Sequence, residues 1–203
     1  MNTLVLPATD EESIARAVEF ISRGELVAFP TDTVYGLGAL AFDSSAVQNI
    51  YLAKGRSEEK AIPVLLAAAE ELPRVTASAG MQAMRLAGRF WPGPLTLVLP
   101  KAIAVPEAVA AATVGVRVPD HAVAHALLSA AGPLAVTSAN RSGGPSPVTA
   151  AEVLEQLGGR IAMILDGGRT HGGIPSTVVD CTTEDLRIVR EGPLTMDDLL
   201  QAL

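Results

Sequence analysis

The sequence has few aromatic residues, a single cysteine and no excess of positive charge. Aromatics make up 3% of its 203 residues, so a core of any size must be built from Ala, Val, Leu and Ile. The lone cysteine, Cys181, excludes an intrachain disulfide framework and suits a reducing compartment. As a small apolar residue in a predicted strand it needs no chemical role. A general nucleic-acid coat would be basic, whereas the formal net charge is −7; a local basic groove remains compatible with that value. No apolar run approaches the ~18 residues of a transmembrane helix. The opening stretch, MNTLVLPATDEES, has no positive leader region and no cleavable apolar segment. The expectation is a soluble cytoplasmic protein with no membrane partner. Familiar signatures are missing too: GxxxxGKS or GxxxxGKT, GxGxxG and GxSxG do not occur. His121 and His125 lie four apart on one predicted helix, a spacing able to chelate a metal. No third ligand accompanies them, so a helix-surface reading is preferred and no metal ligands are assigned.

Hydrophobic residues at 49% and charged residues at 18% exclude a disordered chain. Helical and strand patterns alternate throughout. Thr9-Asp10-Glu11-Glu12 reads as a capping box before a stripe of Ile14, Ala17, Val18 and Ile21, with Gly24 as its C-cap. A strand at Leu26–Phe29 follows, then a helix from about Ser44 with Val47, Ile50 and Tyr51 on one face. Ile62–Leu66 reads as a strand, and Ser78–Phe90 as a helix with Met81, Met84 and Ala87 inward. After the Trp91-Pro92-Gly93-Pro94 break come strands Leu95–Leu99 and Val114–Val118. Asp120 caps a helix bearing Val123, Ala124, Leu127 and Leu128. Strand Leu134–Thr137 follows, then a helix capped by Thr149, strands near Ile161–Leu165, Thr177–Cys181 and Arg187–Arg190, and a last helix after Thr195. Several strand runs are apolar almost throughout, which predicts that both sheet faces are covered. The expectation is an α/β fold with a mixed sheet, as one domain over residues 1–203.

Small polar and cationic residues gather just after apolar strands, where open α/β sheets bind ligands. Pro30-Thr31-Asp32-Thr33-Val34-Tyr35-Gly36-Leu37 follows one such run. Lys54-Gly55-Arg56, with Lys60 beyond, ends a helical pattern. It reads either as a polyanion site, with a point charge, a planar fork and a glycine for close approach, or as a basic helix cap. Arg117, inside an apolar strand, calls for a partner: an acidic side chain or a carboxylate or phosphate ligand. The loop Thr137–Pro147 is dense in hydroxyls, amide and glycine. It can surround a nucleotide with neutral donors or be a long turn stitched by its own hydrogen bonds. Gly172-Gly173-Ile174-Pro175-Ser176-Thr177 and Arg190-Glu191-Gly192 complete the set. Gly143-Gly144 and Gly172-Gly173 are candidate hinges.

PTDTVYGL, KGR, FWPGPLTLVL, VGVRVPDH, TSANRSGGPSP, GIPSTVVD and IVREG, in this order, resemble the YrdC family, the threonylcarbamoyl-AMP synthases. The resemblance runs from about Glu12 to Gly192 and implies a twisted mixed sheet, helices on both faces, around a concave groove. It implies that L-threonine, bicarbonate and ATP, with Mg2+ on the phosphates, give threonylcarbamoyl-adenylate and pyrophosphate, the activated intermediate of tRNA t6A modification. The implied partners are tRNA and the proteins that transfer the group to it. By resemblance, Thr33 and Ser176 contact threonine and Arg117 holds its carboxylate. Arg56 and Lys60 hold nucleotide phosphates, and Lys54, with Arg56 the catalytic candidate, neutralises the carbamate or α-phosphate. Ser138, Asn140 and Ser146 line the nucleotide pocket, Arg190 closes it on a phosphate, and Tyr35 packs beneath the loop. Glu58 and Glu59 depart from the pattern after KGR, and no histidine stands near Leu65 where relatives carry one. Because the chain ends soon after IVREG, the short, single-domain form is expected. The alternatives are a YrdC-like paralogue making a different acyl-adenylate and an RNA-binding module, which a steep salt dependence of tRNA binding would mark.

Overall fold

Side-chain periods of 2 and of about 3.6 organise the chain. In the computed structural model, which describes residues 2–203, they resolve into strands β1 (Leu4–Pro7), β2 (Val27–Phe29), β3 (Gly36–Leu40), β4 (Val64–Leu65), β5 (Leu95–Pro100), β6 (Thr113–Arg117), β7 (Leu134–Ser138), β8 (Met163–Asp166), β9 (Thr177–Asp180) and β10 (Arg187–Arg190). The helices are α1 (Glu11–Ser22), α2 (Ser44–Lys54), α3 (Met81–Phe90), α4 (Ala122–Ala131), α5 (Ala150–Leu157) and α6 (Met196–Leu200). The strands form one mixed sheet in the order β1-β8-β2-β3-β7-β4-β6-β5-β9-β10. β1, β8 and β2 run parallel, whereas β2-β3-β7-β4 alternate in direction. No helix among the described residues is long and apolar enough to cross a membrane.

Alternation along the strands separates two cores. Ala28, Leu37, Ala39, Val64, Leu95, Leu97, Leu99, Val114, Val116 and Val179 face a large cluster with residues of α2, α3, α5 and α6. On the other face Val27, Phe29, Leu134, Val136, Met163 and Leu165 pack against Ala17 and Ile21 of α1 and Ala124, Leu127 and Leu128 of α4. These two helices reach only part of that face. Helices thus lie on both faces, as expected, and the second face is left open over β6, β5, β9 and β10.

Several local expectations are also revised. The N-cap of α1 is Asp10 rather than Thr9, with no side-chain cap bond. α4 is capped by His121, whose Nδ1 accepts the Val123 amide at 3.2 Å, and not by Asp120. In α3 the buried residues are Ala83, Leu86 and Ala87, while Met81 and Met84 are 75% and 48% exposed. The methionine stripe belongs to the outer face. β4 is confined to Val64–Leu65, and the strands β1 and β3 were not expected. β3, Gly-Leu-Gly-Ala-Leu, carries glycines that favour loops. They are sterically required here: a Cβ on Gly36 would stand 2.7 Å from Val136 Cγ1, and one on Gly38 2.9 Å from the Phe29 ring.

Candidate active site

A groove of about 530 Å³ occupies the uncovered half of the second face. Its floor is the outward-pointing half of the strand alternation: Thr96 and Val98 of β5, Gly115 and Arg117 of β6, Val178 and Asp180 of β9. Thr31, Thr33, Arg56 and Ser138 wall one side, and Ser176, Arg187, Val189 and Arg190 the other. The register of β10 on β9 shifts between Ile188 and Arg190. Such a bulge re-aims side chains, and here Val189 and Arg190, consecutive residues, both face the groove.

Arg117, at the end of β6, is 5% exposed. Its Nε donates to the Gly93 carbonyl at 2.9 Å, one terminal nitrogen to Thr33 Oγ1 at 3.0 Å, and the other to the Asp32 carboxylate. The Trp-Pro-Gly-Pro turn thus supplies an acceptor that fixes the guanidinium. Burial lowers the Arg117 pKa, and the Asp32 charge opposes that shift. An acidic partner and a ligand were the readings open for this residue. Asp32 supplies the partner, and two of the five guanidinium N–H groups remain without a recorded acceptor.

Thr33 is oriented from both sides. The Thr31 hydroxyl donates to the Val34 carbonyl at 2.6 Å, so in the 2.9 Å contact between the Thr31 and Thr33 hydroxyls Thr33 is the donor. Thr33 Oγ1 accepts from Arg117. One acceptor lone pair is left over, and Thr33 lines the groove. Across from it, Arg190 donates from Nε and a terminal nitrogen to the Ser176 carbonyl at 3.1 and 2.7 Å, and to Ser176 Oγ at 3.0 Å. Ser176 Oγ in turn lies 2.8 Å from Thr96 Oγ1. A Cβ on Gly192 would fall 2.3 Å from the Thr177 nitrogen, so only glycine lets the segment after Arg190 lie against Ser176–Thr177.

Arg56 lines the groove, and its Nε and terminal nitrogen donate to the Lys60 and Ala61 carbonyls at 3.3 and 3.1 Å. Loss of solvent lowers its pKa. Arg190 is lowered by desolvation and then by the charges of Arg117 and Arg56. Arginines remain charged at neutral pH. The groove therefore concentrates cations within a chain of net charge −7. Its acidic lining residue, Asp180, is engaged with Arg187 at 3.0 Å and with the Thr182 hydroxyl at 2.6 Å, and Asp32, outside the groove lining, pairs with Arg117.

Lys54 lies elsewhere. Gly55 ends α2 in the left-handed region (φ 62°), a backbone turn that separates the cations on either side of it. Arg56 emerges into the groove, while Lys54 is 2% exposed and donates to the Ser138 and Asn140 carbonyls and to Asn140 Oδ1 at 3.4 Å. Burial and then the Arg56 charge push its pKa down to about 7. Its ammonium holds the 138–144 loop from below and is not on the groove wall. Asn140 is likewise internal to that loop, donating to the Arg141 and Gly144 carbonyls at 2.7 and 2.8 Å. Lys60 is exposed and Ser146 half-buried, and neither lines the groove. Among the candidates, the structure brings together Thr33, Arg56, Arg117, Ser138, Ser176 and Arg190.

Sequence reasoning missed Thr31, Thr96, Asp180 and Arg187. The signal was the alternation Leu95-Thr96-Leu97-Val98 and Val178-Val179-Asp180, in which every second residue faces the groove. Tyr35 is fully buried: its hydroxyl donates to the Gly168 carbonyl at 2.7 Å, and burial raises its pKa to about 12. It anchors the 166–168 turn from beneath. Cys181, half-buried beyond β9, has its thiol pushed up to about 11 by burial, the reverse of an activated nucleophile.

Comparison with known proteins accords with this geometry. A family model described as Sua5/yciO/yrdC, telomere recombination, matches residues 19–192. The threonylcarbamoyl-AMP synthase of Pyrococcus abyssi (strain GE5 / Orsay) is 45% identical over 193 residues, which cover 94% of this chain and 57% of that protein. The enzyme of the same name from Bacillus subtilis (strain 168) is 44% identical over 196 residues, 95% of this chain and 57% of that protein. The crystal structure of P. abyssi Sua5 complexed with L-threonine superposes with a TM-score of 0.94 at 42% identity, covering 100% of this chain and 60% of that one. This chain thus spans little more than half the length of these two enzymes. With the match over residues 19–192 and the shared architecture, the chain belongs to the Sua5/YciO/YrdC family.

Proposed function

We propose that the groove is the active site of an L-threonylcarbamoyladenylate synthase, a nucleotidyltransferase that joins L-threonine, bicarbonate and ATP into threonylcarbamoyl-AMP with release of pyrophosphate. The observation that carries this reading is the pairing of Arg117 and Thr33. Two free guanidinium N–H groups beside one free acceptor lone pair match the carboxylate and the amine of an α-amino acid. Relatives named for this reaction, and a relative solved with L-threonine, support it.

The deprotonated amine of the held threonine adds to CO2 and gives up its proton to solvent, or adds to bicarbonate with loss of water; either route gives a carbamate. The carbamate oxygen then attacks the α-phosphorus of ATP and pyrophosphate leaves. The chain has little covalent chemistry to perform. It brings a carboxylate, a carbamate and a triphosphate together and offsets their repulsion with Arg56, Arg117 and Arg190, which is positioning and electrostatic catalysis. Mg2+ enters with ATP as part of the substrate. The groove carboxylate Asp180 is taken up by Arg187, and the nearby Asp32 by Arg117, so the metal-bearing triphosphate meets arginine charge rather than a protein ligand set. The product fits delivery of a threonylcarbamoyl group to tRNA by partner proteins in the cytoplasm.

The test is mass-spectrometric detection of threonylcarbamoyl-adenylate after incubation with ATP, Mg2+, bicarbonate and L-threonine, with L-serine as control. A threonine-dependent product is expected. ATP binding without that product would instead favour a paralogue acting on another acyl group.

A further inference from the structure

We infer that Thr96 is a substrate-contacting hydroxyl: it donates a hydrogen bond to an anionic oxygen bound in the groove and is aimed there by the Ser176–Arg190 pair. This deepens the proposed function and rests on it. Thr96 is 2% exposed and belongs to the groove floor. Its Oγ1 has one recorded partner, Ser176 Oγ at 2.8 Å. Ser176 Oγ also accepts from Arg190 at 3.0 Å, because a guanidinium only donates.

Counting protons sets the direction of the chain. A hydroxyl carries one donor and two acceptor positions. If Ser176, polarised by the arginine, donates to Thr96, the hydrogen bonds run head to tail from Arg190 through Ser176 to Thr96. Cooperative polarisation favours that order. The Thr96 proton is then the one left without an acceptor among the described residues, and Thr96 lines the groove. Thr96 also has no freedom to turn its methyl group there without cost. A Cβ on Gly115 would lie 3.2 Å from Thr96 Cγ2, so glycine at 115 provides the space into which the methyl packs, leaving the hydroxyl toward Ser176 and the cavity. A proton donor backed by a cation and set in a wall of arginines suits an oxyanion. That oxygen belongs either to the carboxylate or carbamate of the amino-acid substrate or to a phosphate of the nucleotide, which share this chemistry.

The experiment compares wild type, Thr96→Val, Thr96→Ser and Ser176→Ala, using the full chain. Valine keeps the shape and removes the proton. Loss of one hydrogen bond to a charged group predicts a fall of about 10- to 100-fold in kcat/KM for adduct formation, with a folded protein of somewhat lower melting temperature, because the buried Ser176 hydroxyl loses its acceptor. Thr96→Ser should recover activity to within about 5-fold of wild type, because it restores the donor. The double variant Thr96→Val with Ser176→Ala should lose no more than the worse single variant, as expected for groups acting in series. A rise in KM for threonine assigns the oxygen to the amino acid, and a rise in KM for ATP assigns it to the phosphate. Either outcome supports the inference. Thr96→Val turning over like wild type would overturn it while leaving the synthase reading intact. Should wild type form no adduct, the synthase reading itself fails. Calorimetric titration with ATP and with L-threonine then decides for Thr96: equal affinities of wild type and Thr96→Val for both ligands would sink it, and weakening by about 10-fold or more for either would sustain it.

Discussion

Beneath α1 and α4 the sheet presents Val27, Phe29, Leu134, Met163 and Leu165; farther along the same face it presents Thr96, Gly115, Arg117 and Asp180. Both regions share one opposite face, where Ala28, Leu97, Val116 and Val179 are equally apolar. What distinguishes them is whether a helix covers the strand. Where α1 and α4 lie over it, both sides of each strand must be hydrophobic. Where no helix lies over it, every second position is released from the core and becomes available for hydroxyls, glycine and charge. Leu65 and Val136 mark the boundary, since each belongs to the covered core and also lines the groove. Stability and binding are thereby assigned to different stretches of one surface.

That division can be tested by breaking each half in turn. In the covered half, Phe29→Ala removes a fully buried ring. It should cost about 3–5 kcal/mol of stability by denaturant titration, with adduct formation per folded molecule nearly unchanged. A matching loss of activity would show that the halves are coupled. In the open half, Arg56→Ala should lower adenylate formation by about 10²- to 10³-fold with little change in melting temperature, because its contacts are a few carbonyls at the groove wall. Normal turnover would remove Arg56 from the site. Arg117→Ala should raise the KM for threonine by about 10- to 100-fold and that for ATP far less. Equal effects on both would make this arginine a scaffold residue tied to Asp32.

The smallest effect concerns Lys54. Its folded pKa of about 7 lies below the ordinary 10.5. Between those values the unfolded chain holds a proton that the native chain lacks, so the Lys54 contribution makes stability rise with pH across that window. Below about pH 7 its penalty is fully present. Lys54→Met should flatten this slope relative to wild type in denaturant titrations from pH 7 to 10. Parallel curves would mean that the ammonium keeps its proton beneath the loop, held by the Ser138 and Asn140 carbonyls.

Much of the fold was legible because local signals were strong. α2 begins at an Asp43 cap and ends at left-handed Gly55, and α5 begins where Thr149 accepts the Glu152 amide. The inward methionine stripe of α3 failed because helical spacing alone does not say which face the sheet takes; Leu86 and Ala87 went inside and Met81 outside. β3 was hidden by glycines whose purpose lies in the neighbouring Phe29 and Val136 side chains.

The sequence alone determined the alternation of strands and helices, the ordered motifs of the family, and the presence of arginines at strand ends. Those depend on neighbours within a few residues, where chain geometry is nearly fixed. Tertiary structure decided which face of each strand is left open, that Lys54 turns under a loop while Arg56 two residues on meets the groove, and that Thr96 touches Ser176 from 80 residues away. Those outcomes follow from where α1 and α4 stop along the sheet and from the register of β5 on β9, which no local pattern encodes.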